Sequence, residues 1–170
     1  DPVTNLQFGE GDSLALGQPV TDQSLVISAI SQLMNEDNST DYDSFKTKLG
    51  IDPSFMIRFD NPFSNLDNAA NNKAAVINTQ LVVLGEVLED IHTVSSGSIG
   101  NRVADAIIGR STTETSLGDT TFIKDLLTNY DSDFSPSSQQ LIDLSSGISA
   151  YMQKINANSS NSHSHFMQVG

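Results

Sequence analysis

Carboxylates are the groups in this chain whose density and spacing could do chemistry, and the chemistry they suit first is the binding of a hard cation. Asn35-Glu36-Asp37-Asn38 with Asp41 and Asp43 forms one cluster, and Asp131, Asp133 and Ser135 form another. Calcium takes about six to eight oxygen ligands from closely spaced carboxylates and carbonyls. On that basis Asp37, Asp41, Asp43, Asp131 and Asp133 are the candidate metal ligands. Neither cluster has the helix-loop-helix calcium pattern: the twelfth position counted from Asp37 is Lys48 and from Asp131 is Ile142, where a bidentate Glu is required. The same acids equally suit helix N-termini, where they offset the positive end of the dipole.

Other catalytic constellations are sparse. Glu86 with Glu89 or Asp90 would share a helix face and form an acid-base pair, but these residues lie off the apolar seam, where a solvated polar face is the simpler reading. His92 falls near a helix end, where a partly protonated imidazole suits the negative dipole. His163 and His165 sit in a Ser-rich tail without a third ligand beside them. Gly97-Ser98-Ile99-Gly100 lacks the spacing of a nucleophile elbow, and no glycine-rich loop ends in Gly-Lys-Ser/Thr. The expectation is a non-enzymatic protein with no certain cofactor, calcium being the one that the residues allow.

Composition narrows the partners. The chain has 170 residues, the size of a single domain with a real core. Eight Lys and Arg against 21 Asp and Glu give a formal charge of −13, a field that repels phosphate and anionic lipid. Nucleic acid is therefore not an expected partner. Cysteine is absent, which excludes disulfides, thiol chemistry and cysteine-ligated zinc. Abundant Ser, Thr and Asn beside scarce Lys and Arg match the composition of secreted or cell-surface bacterial proteins. No basic leader precedes an apolar run, and the longest apolar candidate, Ala74 to Ile91, is interrupted by Asn78, Gln80, Glu86, Glu89 and Asp90. Membrane insertion is not expected, and a start at Asp1-Pro2 suggests a processed protein or an excised domain.

The elements that must position these groups read as helices. Residues 1–20 hold Leu6-x-Phe8 and Leu14-x-Leu16 among glycines and prolines, an extended arm or short hairpin. From a cap at Thr21 or Asp22, Val26, Ile30, Leu33 and Met34 share one helical face. A short second helix, with Thr40 and Asp43 as its capping pair and Phe45 and Leu49 inward, stops at Gly50. The longest helix should run from about Ser64 to His92, with Ala70, Ala74, Ile77, Leu81, Leu84, Leu88 and Ile91 as a continuous seam widened by Val76, Val83 and Val87. Burying its large seam residues contributes about 1.5–3 kcal/mol each before entropy is charged against it.

Gly97 should interrupt the chain before a fourth helix with Ile99, Val103, Ile107 and Ile108, which ends at Gly109. Phe122, Ile123, Leu126, Leu127 and Tyr130 build a fifth. Ser135 as cap and Pro136 at the first position open the last, whose seam is Leu141, Leu144, Ile148, Tyr151 and Ile155 and whose natural partner is the central helix. The fold class is all-α, a bundle of about six helices around a long central one. Its organisation is an arm at 1–20, a helical domain at 21–157 and a polar tail at 158–170.

Between the second and third helices lies Leu49-Gly50-Ile51-Asp52-Pro53-Ser54-Phe55-Met56-Ile57-Arg58-Phe59-Asp60-Asn61-Pro62-Phe63, too apolar to be a solvated linker. A Gly-rich arm with Leu and Phe comes first, then a Thr-led helix from Thr21 to Met34 and a short helix ending Lys48-Leu49-Gly50-Ile51-Asp52-Pro53. An Asp60-Asn61-Pro62 turn and a long Ala/Val-rich helix complete the order over residues 4–92. This order resembles the helical modules of very large multi-domain secreted and surface proteins of Gram-negative bacteria and cyanobacteria, including adhesins. Where such modules open the first helix with Pro-Leu-Thr-Thr, this chain has Asp22-Gln23-Ser24-Leu25. The resemblance implies a non-catalytic extracellular module, often near calcium-dependent domains, and transfers no catalytic residue.

Large apolar residues crowd the connector and both ends. Leu6, Phe8, Phe55, Phe59, Phe63 and Phe166 are the candidate partner contacts, with self or with other surface-protein domains, and an arm that docks on the next copy would propagate a fibre. The same arm could instead pack on its own domain. The expected function is thus an extracellular structural or adhesion module that self-assembles through its ends. The alternative is a binding protein that holds an apolar ligand between its helices, with the Phe-rich connector as pocket wall.

Overall fold

Side-chain caps set where the helices begin. The computed structural model describes residue 26 and residues 28–36, 42–91, 96–130 and 136–158. The first helix, α1, spans Ala29–Glu36. Ser28 Oγ accepts the Ser31 N–H at 3.1 Å while Ser31 Oγ accepts the Ser28 N–H at 2.9 Å, a reciprocal cap. The expected caps Thr21 and Asp22 lie outside the described residues; of the described ones, Val26 is not helical, and its N–H donates to the Arg58 carbonyl at 2.8 Å. The arm at residues 1–20 and the tail beyond Asn158 lie outside the described residues.

Helix α2 spans Tyr42–Leu49 and stops at Gly50 as expected. Gly50 adopts φ 63, and the Ile51 and Gly50 N–H groups donate to the Lys46 and Thr47 carbonyls at 2.9 and 3.1 Å. These two bonds close the last turn in the left-handed motif that glycine favours. Helix α3, Ala69–Ile91, begins later than Ser64. Asn68 Oδ1 accepts the Ala70 and Asn71 N–H groups at 2.9 and 3.3 Å, and residues 61–68 are held in turns by Asn61, whose Oδ1 accepts the Phe63 N–H at 2.9 Å.

Helix α4 spans Ser96–Ile108, so Gly97 lies in its first turn and does not break it. Asp119 caps α5, Thr120–Tyr130, by accepting the Thr121 N–H at 2.7 Å. Helix α6 is Ser138–Asn158. Its cap is Ser137, not Ser135: Ser137 Oγ accepts the Gln140 N–H at 3.3 Å and Gln140 Oε1 accepts the Ser137 N–H at 2.9 Å. Pro136 therefore precedes the cap.

The described residues form an all-α bundle, with these six helices and no strand among them. Ala74, Ile77, Leu81, Leu84 and Leu88 of the expected seam are buried, joined by Val76, while Ala70 and Ile91 are half-buried at its ends. Helix α3 packs against α1, α4 and α6, and α4 packs against α1, α2, α3 and α5, so the two share the central place. Helix α6 meets α3 as expected and α5 more extensively. Its inner face is Ser145, Ile148, Ser149, Met152 and Ile155, and Tyr151, expected in the seam, is exposed because that face is rotated onto Met152.

Two polar residues tie the layers together from inside. Asn78 of α3 is only 7% exposed, and its Oδ1 accepts the Ala29 N–H at 2.7 Å, satisfying a donor that the start of α1 leaves open. Gln80 donates from Nε2 to the Met152 carbonyl of α6 at 2.9 Å. Among the described residues, no helix is long and apolar enough to cross a membrane.

Candidate functional site

The connector from Ile51 to Asn68 is folded by its own backbone. Asp52 Oδ1 accepts both the Ser54 hydroxyl, at 2.5 Å, and the Ser54 N–H, at 2.8 Å. The side-chain bond first and then the backbone bond from Ser54 hold the Asp52 carboxyl below the ordinary aspartate range. The Phe55 N–H then donates to the Asp52 carbonyl at 3.0 Å. Next comes a closed clamp: the Phe59 and Asp60 N–H groups donate to the Met56 carbonyl at 2.8 and 2.7 Å, and the Met56 N–H donates to Asp60 Oδ2 at 2.8 Å.

This clamp sorts the apolar side chains. Ile51, Phe55 and Ile57 turn inward into the core shared with Phe45 and Leu49. Met56 and Phe59 turn outward at 55% and 50% exposure. Of the residues expected to touch a partner, Phe55 is thus core, at 3% exposure, Phe63 is half-buried, and Phe59 is presented to solvent. Leu6, Phe8 and Phe166 lie outside the described residues.

Lys46, Phe55, Met56, Ile57, Arg58 and Phe59 line an open depression of about 210 Å³. Lys46 Nζ donates to the Pro53 carbonyl at 2.9 Å and pairs with Asp43 Oδ1 at 3.0 Å, so α2 braces the loop. The arrangement presents two apolar side chains beside a Lys46–Asp43 ion pair. Sequence reading had the segment but not Met56 as its most exposed apolar residue. The segment is a chain of turns, so no helical or strand period separates Phe55 from Met56 and Phe59.

The metal candidates fare differently. Asp43 is described and exposed, and its carboxylate is paired with Lys46; Asp37, Asp41, Asp131 and Asp133 lie outside the described residues, as do His92, His163 and His165. No group of three or more His, Cys, Asp or Glu that could hold a metal occurs among the described residues. Glu86 and Asp90 are exposed and Glu89 half-buried on α3.

A second depression, of about 410 Å³, opens between α4 and α5. There the Arg110 guanidinium lies 3.4 Å from Asp125 Oδ2 and 3.7 Å from Asp119 Oδ2, with its carbon 5.7 Å from the Phe122 ring centroid. Lys48 Nζ crosses from α2 to the Arg110 and Thr112 carbonyls, and the Thr115 N–H returns to the Lys48 carbonyl at 2.6 Å. Arg110 is therefore surrounded by its own counter-ions, which makes this cluster a clasp of the loop after α4. It joins three segments distant in sequence, so no motif announces it. No family model, no curated protein and no solved structure matches the chain.

Proposed function

We propose that the chain is a non-enzymatic structural module of the extracellular, adhesion type, from a bacterial surface or secreted protein, whose contact face is the connector tip and whose first partner is another copy of itself. The observation that supports this reading is the outward pair Met56 and Phe59 on a loop whose backbone is clamped by Asp60. A methionine adapts to the surface it meets, and an aromatic ring supplies a large rigid contact. Both line one depression, so the two exposed apolar side chains lie side by side. The inward residues Phe55 and Ile57 belong to a continuous core, which favours a contact knob over the wall of a ligand pocket.

Sedimentation velocity tests it. The intact chain should associate as its concentration rises, and Met56→Ser with Phe59→Ser should stay monomeric while melting normally. An intact chain that remains monomeric at its solubility limit would refute the reading. Calcium extends the proposal through Asp37, Asp41 and Asp43 beside α2 and Asp131 and Asp133 after α5. Addition of calcium to the demetallated chain should then raise its melting temperature, and an unchanged transition would remove calcium alone.

A further inference from the structure

We infer that the occupant of the Met56–Phe59 tip is the chain's own N-terminal segment, residues 1–25, seated through Leu6 and Phe8. The inference rests on the reading of the tip as a contact face and names what fills it. Two observations carry it.

The segment emerges at the tip. The Val26 N–H donates to the Arg58 carbonyl at 2.8 Å, so the preceding residues leave the helical domain at the loop that carries Met56 and Phe59. Residues 8–26 can span roughly 60 Å when extended. Phe8 can therefore reach this tip or that of a neighbouring copy.

The shapes agree as well. Leu6 and Phe8 stand two positions apart, which puts both on one side of an extended segment. The receiving loop shows a pair of its own, Met56 and Phe59, and a depression of about 210 Å³, a volume on the scale of a single large side chain.

Photo-cross-linking in the full-length chain tests this. Phe59→benzoylphenylalanine places the reactive group at an exposed position, where the fold tolerates it. An equal mixture of 15N-labelled and unlabelled chains is irradiated, digested and read by mass spectrometry. Cross-links from position 59 should concentrate in residues 1–25, and Phe8→Ser should cut their yield by roughly tenfold or more, since burial of one phenylalanine is worth at least about one decade in affinity. Mixed-isotope pairs support both the inference and self-assembly. Pairs within one chain support the inference and overturn self-assembly. Association in sedimentation with cross-links confined to residues after 25, or no cross-links at all, overturns the inference and leaves the contact-face reading to stand on its own test.

Discussion

Gly50→Ala separates two costs at the joint where α2 feeds the connector. At φ 63 an alanine carries a Cβ in the left-handed region, which costs about 1–2 kcal/mol. The second cost is contact. An ideal Cβ on Gly50 lies 2.2 Å from Glu114 Oε1 and 2.5 Å from its Cδ, so something must move. What moves is Glu114, an exposed and flexible side chain whose ion pair with Lys73, at 3.2 Å, is itself exposed. Such pairs contribute about 0–1 kcal/mol, so the carboxylate swings away at little cost and the backbone carries most of the penalty.

The total expected is about 1–3 kcal/mol, which lowers the melting temperature by about 2–4 °C for each kcal/mol in a domain of this size. Urea unfolding of the native chain, Gly50→Ala, Glu114→Ala and the double variant closes the cycle. In the Glu114→Ala background the glycine substitution should retain more than half of its effect. Recovery of nearly all the stability in that background would refute the backbone argument and assign the loss to the clash. Gly50→Asn should cost less than Gly50→Ala, since asparagine tolerates the left-handed conformation.

Other perturbations test the supports of the site. Asn78→Ala removes the acceptor of the Ala29 N–H at a buried position, and a loss of about 1–3 kcal/mol is expected in urea unfolding, with faster amide exchange at Ala29; an unchanged midpoint would show that the amide finds another acceptor. Because bonding from Ser54 depresses the Asp52 pKa, its stabilising effect is present above the ordinary value of 3.8 and is lost as pH falls through the lower folded value. Ser54→Ala should therefore move the Asp52 carboxyl titration, followed by NMR, upward toward 3.8, and an unmoved titration would refute the assignment.

The α3 seam was legible because a seven-residue apolar rhythm survives any plausible choice of helix start: Ala74, Ile77, Leu81, Leu84 and Leu88 are buried whether the helix opens at Ser64 or at Ala69. Helix starts were much less so. A chain rich in Ser, Thr and Asn offers several candidate caps before every helix, and tertiary partners choose among them. Ser28 caps α1 where Asn78 also meets the Ala29 amide, and Asn68 outranks Ser64 because Asn61 holds the intervening residues in turns. The gap between Phe55 and Phe59 was illegible for another reason. No periodicity runs through a chain of turns, and only the bonds to Met56 and Asp52 decide which ring faces the core. Asn78 and Gln80 looked like interruptions of an apolar helix because their donor and acceptor partners, the Ala29 N–H and the Met152 carbonyl, lie 49 and 72 residues away.

The clamp also decides what kind of contact the tip can make. The N–H groups of Ser54, Phe55, Met56, Phe59 and Asp60 all donate within the loop, and the Arg58 carbonyl accepts from Val26. With those groups engaged, strand addition would have to break bonds that already exist, at the cost that attaches to displaced backbone donors. A contact at this face would therefore run through side chains, and the side chains it offers are Met56 and Phe59. The surrounding charge of −13 adds a second constraint: apolar contact between two such molecules must outweigh their mutual repulsion. The same loop thus anchors the first helix through Val26, completes the core through Phe55 and Ile57, and leaves Met56 and Phe59 more exposed than its other apolar residues.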